Sequence, residues 1–203
     1  MNAFLPLLRA DDLVHGRSGE WVSPWSFSAM VGRLVEIVQP SASAALTVTV
    51  DLLEEAQIRG EPCAWVSTAE SVVYPPDLAR RGVNPRSLLM VRVPETTGVA
   101  RSVEYLVRSG GFGLIVADFT AGSTRKVESS FAARLVRLLR VHQVALVCLT
   151  RQGSLGSMVS LRMEARREYR QGAFATEIRV VKDRVNGQGA LHREQRHGPD
   201  GLR

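Results

Sequence analysis

The stretch 32-GRLVEIVQPSASAALTVTVDLLEEAQIRG-60 decides the fold. Its first part, Gly32 to Val38, is apolar apart from Arg33 and Glu36 and reads as a strand. Its last part, Thr47 to Gly60, brings Val48, Leu52, Leu53, Ala56 and Gln57 near one face of a helix, and Gly60 stops it. Gln39 to Leu46 is then a turn from a strand into a helix. Such a unit returns the chain to its starting level, so the next strand can lie parallel to the first.

The unit repeats along the chain. PCAWVS (62–67) is a strand, PPDLARRGV (75–83) a short helix opened by proline with Gly82 after it, and SLLMVRV (87–93) a strand. TTGVARSVEYLVRSGG (96–111) is a helix with Thr96 or Thr97 as its cap and Gly110 beyond its end. FGLIVADF (112–119) is a strand, ESSFAARLVRLLRVHQ (128–143) a helix and VALVCLT (144–150) a strand. Apolar runs such as LIVA and ALVCL suit strands buried on both faces. The alternation predicts an α/β fold with a mostly parallel sheet flanked by helices. Residues 157–185 change character and read as two alternating strands around Gln171-Gly172, an antiparallel hairpin at one edge of the sheet.

These elements divide the chain into an N-terminal arm (1–24), a core (25–185) and a polar, flexible tail (186–203) with almost no apolar content. Trp21, Trp25 and Phe27 around Ser23-Pro24 either pack on the core or anchor a partner. The 203 residues are 45% hydrophobic and 23% charged, which excludes wholesale disorder and a disulfide scaffold. No apolar run reaches the 18 or so residues of a membrane span. Cys63 and Cys148 lie in apolar runs, which fits buried thiols and a cytoplasmic location. The formal charge is +6, and only Lys126 and Lys182 are lysine, so 24 basic residues are arginine. From Arg162 to Arg203 there are 10 basic and 6 acidic residues, net +4, so most of the excess lies late in the chain. It favours an acidic partner, nucleic acid among them.

A strand-to-helix turn is where phosphate binding is sought, because free N–H groups and the positive helix end converge there. The P-loop adds G-x-x-x-x-G-K-[ST]. Here Gln39 and Ala44 replace the glycines, Ala45 the lysine and Leu46 the hydroxyl residue. Each charge-assisted bond is worth about 1.5–3 kcal/mol, so losing two removes roughly 3–6 kcal/mol, or about 10²–10⁴-fold in affinity. ATP turnover, a nucleotide cofactor and a catalytic site are not expected. The four histidines show no metal-ligand spacing with the cysteines, so no metal is expected.

In order and sequence these segments resemble the RecA recombinase core. There the first segment reads like GRIVEI followed by GPESSGKTT, and the fourth strand ends in the Walker B aspartate, matched by Asp118. TEIRVVKDRV (176–185) resembles that family's last core strand. The resemblance implies a RecA-like core from about Val31 to Val185. Departures accompany it. Ala69 stands where the family's catalytic glutamate is expected, with Glu70 one residue late, and the two connections that carry the family's DNA loops are brief. Asp118 is then expected to be a strand-end carboxylate held by neighbouring backbone.

Among RecA-like proteins without ATPase motifs, the chain resembles the ImuA group of inducible-mutagenesis cassettes more than the SulA division inhibitors. The ImuA resemblance implies an accessory role in SOS-induced translesion synthesis. Its implied partners are an ImuB-type inactive Y-family polymerase, RecA, an error-prone replicative-type polymerase and DNA. Protomers of the RecA family stack around ATP, so a chain without the P-loop is expected to cap a filament end or compete for it. A SulA-like inhibitor and a plain DNA-binding module are the alternatives.

Two arginine sets are candidates for DNA or partner contact. Arg134, Arg137 and Arg140 recur at i, i+3 on one helix, with Phe131, Leu135 and Leu138 on the core face. Arg162, Arg166, Arg167 and Arg170 lie on the first hairpin strand, where Arg162, Glu164 and Arg166 point one way and Met163, Ala165 and Arg167 the other.

Overall fold

A computed structural model describes residues 23–39, 43–71, 73–121, 129–170, 173–187, 189 and 191–196. The arm before residue 23, and with it Trp21, lies outside the described residues, as do Pro40 to Ala42 and residues 197–203.

Eight strands form one sheet: β1 (Leu34–Val38), β2 (Cys63–Thr68), β3 (Leu88–Val93), β4 (Leu114–Asp118), β5 (Ala145–Thr150), β6 (Leu161–Arg170), β7 (Ala173–Asp183) and β8 (Leu191–Arg196). Their order is β3-β2-β4-β5-β1-β6-β7-β8. The run from β3 to β6 is parallel, and β7 pairs antiparallel with β6 and with β8.

Helices cover both faces of the parallel part. The first face takes α1 (Phe27–Met30), α2 (Ala45–Ile58) and Leu78 of α3 (Pro75–Arg80). Val48, Leu52, Leu53 and Ala56 of α2 share a cluster there with Trp65, Val116 and Val147. The second face takes Val99, Val103 and Val107 of α4 (Thr96–Ser109) and Phe131, Leu135 and Leu139 of α5 (Ser129–His142), packed with Ala64, Ile115, Leu146 and Cys148. Alternate strand residues thus feed opposite clusters, which is why β2, β4 and β5 are buried at every position.

Local signals act where the backbone needs them. Gly110 ends α4 at φ +65, and a Cβ there would sit 3.0 Å from the His142 imidazole. Glu95, and not Thr96 or Thr97, occupies the cap position of α4, without a side-chain cap bond. Leu138 is half-buried rather than core, and Leu139 takes the buried position.

The hairpin forms on the β1 side of the sheet, with a register shift between Arg162 and Met163. The expected flexible tail needs correction over 191–196, which form β8, now the outermost strand. Its register runs from Leu191↔Arg179 to Arg196↔Phe174. Trp25 stacks on His192 with ring centroids 4.5 Å apart, fastening the start of the core to this strand.

Candidate functional site

On either side of residues 40–42, the chain between β1 and α2 is bonded to its own sheet. Gln39 donates its N–H to the Thr150 carbonyl at 2.8 Å. Ser43 forms an isolated antiparallel bridge with Arg166 of β6, and the Ala44 N–H donates to the Ala165 carbonyl at 3.0 Å. The Ala45 N–H donates to Ser43 Oγ at 3.0 Å. Ala44 and Ala45 are 1% and 0% exposed, so both methyls are packed into the core. Leu46 is half-buried. The N–H groups of Gln39, Ala44 and Ala45, three of those a phosphate cradle draws on, are therefore already bonded, and Ala45 and Leu46 supply neither cation nor hydroxyl. Arg167 reaches the first turn of α2, where it donates to Thr47 Oγ1 at 3.2 Å.

At the neighbouring strand ends, Asp118 is 1% exposed and both its oxygens are engaged. One accepts from the Thr120 N–H at 2.9 Å and the Thr120 hydroxyl at 2.5 Å, the other from the Ser71 hydroxyl at 2.7 Å. It ties the loop after β4 to the loop after β2. Ala69 and Glu70 are exposed beyond the end of β2.

A buried carboxylate escaped the sequence reading. Glu36, in the middle of β1, is fully buried. Its Oε1 accepts from the Thr150 hydroxyl at 2.9 Å and the Leu155 N–H at 3.2 Å, and its Oε2 from Arg162 Nε at 2.7 Å. Arg162 also donates to the Gly156 carbonyl at 3.1 Å. Arg162 is therefore a structural partner of Glu36 and not a contact held out to solvent. A charge inside the apolar run LVEIV was the available signal, because a buried charge requires a partner. Cys148, opposite Glu36 on β5, has its thiol pKa raised well above normal by burial and then by the Glu36 charge.

The other arginines separate into two places. On α5, Arg134, Arg137 and Arg140 are all exposed, and Arg134 lies 3.6 Å from Glu104 of α4. On β6, Arg166 pairs with Glu164 at 3.2 Å. Met163 and Ala165 are buried on the α2 face, with Arg167 following them to the start of α2. Arg170 is the last residue of β6, and its side chain lies outside the described residues. At the far end of the hairpin, Lys182 and Arg184 both donate to the Ser157 carbonyl. Burial, then the charges of Arg184 and Arg162, lower the Lys182 pKa. Arg33 and Asp183 form a close ion pair nearby.

A family model for the RecA N-terminal domain matches residues 28–138. The protein RecA of Teredinibacter turnerae is 41% identical over 98 residues, which are 48% of this chain and 28% of that protein. That of Colwellia psychrerythraea is 36% identical over 98 residues, again 28% of the relative. The matched part thus spans little more than a quarter of these relatives' length. A crystal structure of the RadB recombinase superposes with a TM-score of 0.65 at 16% identity, covering 82% of this chain and 88% of that one, which is a likeness of fold. The chain belongs to the RecA N-terminal domain family.

Proposed function

We propose that this RecA-family chain is a non-catalytic accessory protein of SOS-induced translesion synthesis, of the ImuA kind. It acts by protein contacts with an ImuB-type inactive Y-family polymerase and with RecA, and brings them together at damaged DNA. The observation that carries the reading is the way the chain enters α2 at Ala44 and Ala45. Ala45 stands at the lysine position with 0% exposure, and the Ala44 N–H is spent on the Ala165 carbonyl. A RecA-shaped core without that phosphate cradle keeps the surfaces of the fold while losing the means to turn over ATP.

Such a chain is expected to cap or compete for an end of a RecA filament without extending it. Co-purification of the full chain with ImuB and with RecA tests the reading, and retention of both is the expected result. Adding the chain to a RecA strand-exchange reaction tests the filament part, where reduced exchange is expected. Unchanged exchange with no RecA retained contradicts it.

A further inference from the structure

Helices α4 and α5 lie side by side on the second face of the sheet and run in the same direction. Glu104 meets Arg134 near their middles, and Gly110 abuts His142 at their ends. Their outer surfaces carry two facing ridges. Arg101, Glu104 and Arg108 recur at i, i+3, i+7 on α4, and Arg134, Arg137 and Val141 recur at the same spacing on α5. Each ridge is about 10 Å long at 1.5 Å per residue.

The seam holds four arginines against one glutamate. That glutamate is shared, 2.7 Å from Arg108 and 3.6 Å from Arg134. Among the described residues Arg101 and Arg137 have no carboxylate partner. Apolar groups interrupt the charge: Val141 is 66% exposed on its ridge, and Tyr105 is 76% exposed on the rim beside Arg101 and Arg108. Arginine and tyrosine are among the residues that dominate protein interfaces.

We propose that this seam is a docking surface for an acidic amphipathic helix of a protein partner. A helix repeats its side chains at the same i, i+3, i+7 pitch, so its Asp and Glu residues align with the arginine ridges. Its apolar stripe covers Val141 and Tyr105. A nucleic-acid backbone matches the arginines but meets the Glu104 carboxylate with phosphate and leaves Val141 uncovered. The proposal deepens the adaptor reading, on which it rests for its purpose. Its test uses a synthetic peptide instead of ImuB or RecA, so either can fail while the other stands.

The probe is an 18-residue fluorescein-labelled helical peptide with glutamates flanking a leucine stripe. Its affinity for the full chain is read by anisotropy beside a scrambled peptide of equal composition and an 18-nucleotide oligo-dT. The ordered peptide is expected to bind best, with affinity falling as salt rises. Arg101→Glu with Arg137→Glu weakens it about tenfold or more. Uncharged Val141→Ser and Tyr105→Ala each weaken it about fivefold. Arg80→Glu with Arg86→Glu, an equal charge change at exposed positions outside α4 and α5, leaves it unchanged. Equal binding of the scrambled peptide, tighter binding of oligo-dT through the same residues, or indifference to the seam variants overturns the proposal.

Discussion

Replacing Arg162 by alanine removes the cation that is hydrogen-bonded to a buried carboxylate. Glu36 is 0% exposed, and its Oε2 has Arg162 Nε as its hydrogen-bond donor at 2.7 Å. The Thr150 hydroxyl and the Leu155 N–H remain on Oε1 and keep that oxygen satisfied. Breaking a buried pair by deleting one partner costs about 3–5 kcal/mol. The Arg162 side chain is itself 22% exposed, so water reaches the vacated side and the low end, about 3 kcal/mol, is expected. For a chain of this size that lowers Tm by roughly 6–12 °C. Urea titration of wild type, Arg162→Ala, Glu36→Gln and the double variant gives the coupling directly, with the midpoint read at constant m. The double variant is expected to recover much of the loss, because a neutral amide at residue 36 no longer needs the cation. A cost under about 1 kcal/mol for Arg162→Ala, or simple additivity of the two changes, refutes a coupled buried pair.

Other expectations follow from single contacts. Asp118→Ala removes the acceptor for Ser71 and Thr120 and should cost about 2–3 kcal/mol by chemical denaturation. Ala45→Lys places an ammonium at a position 0% exposed, and a loss of several kcal/mol without any gain in nucleotide affinity is expected. Trp65 is fully buried with its indole N–H unpaired among the described residues, so Trp65→Phe should stay within about 1 kcal/mol of wild type in the same titration. Burial, then Glu61, pushes the Cys63 thiol from 9.0 up to about 12. Above pH 9 the unfolded chain releases this proton and the folded one keeps it, so stability should fall as pH rises from 9.0 towards about 12. Cys63→Ala should lessen that slope, with Cys148, whose thiol is raised too, keeping the rest, and an unchanged slope counts against the assignment.

Much of the architecture is written in local pattern. The uniformly apolar β2, β4 and β5 announce strands covered on both faces, and Gly110 marks the end of α4 because its backbone needs positive φ. The substitutions at Gln39, Ala44, Ala45 and Leu46 are legible for the same reason, since a P-loop is a contiguous motif. What escaped depends on distance in sequence. Glu36 and Arg162 are 126 residues apart, and only the β1–β6 register brings them together. The closing bond from Ala44 to Ala165 has the same origin. Strand β8 escaped because an edge strand gains its order from backbone pairing with β7, which needs no apolar run. The Trp25–His192 stack likewise joins residues too far apart to be paired by pattern.

Titration calorimetry of the full chain with ATP and magnesium distinguishes a RecA-like core that works without nucleotide, as proposed, from one that binds it. No saturable heat up to millimolar ATP and no release of phosphate are expected. Micromolar binding that disappears when Asp118 or the turn at Ala44 and Ala45 is altered would contradict the proposal.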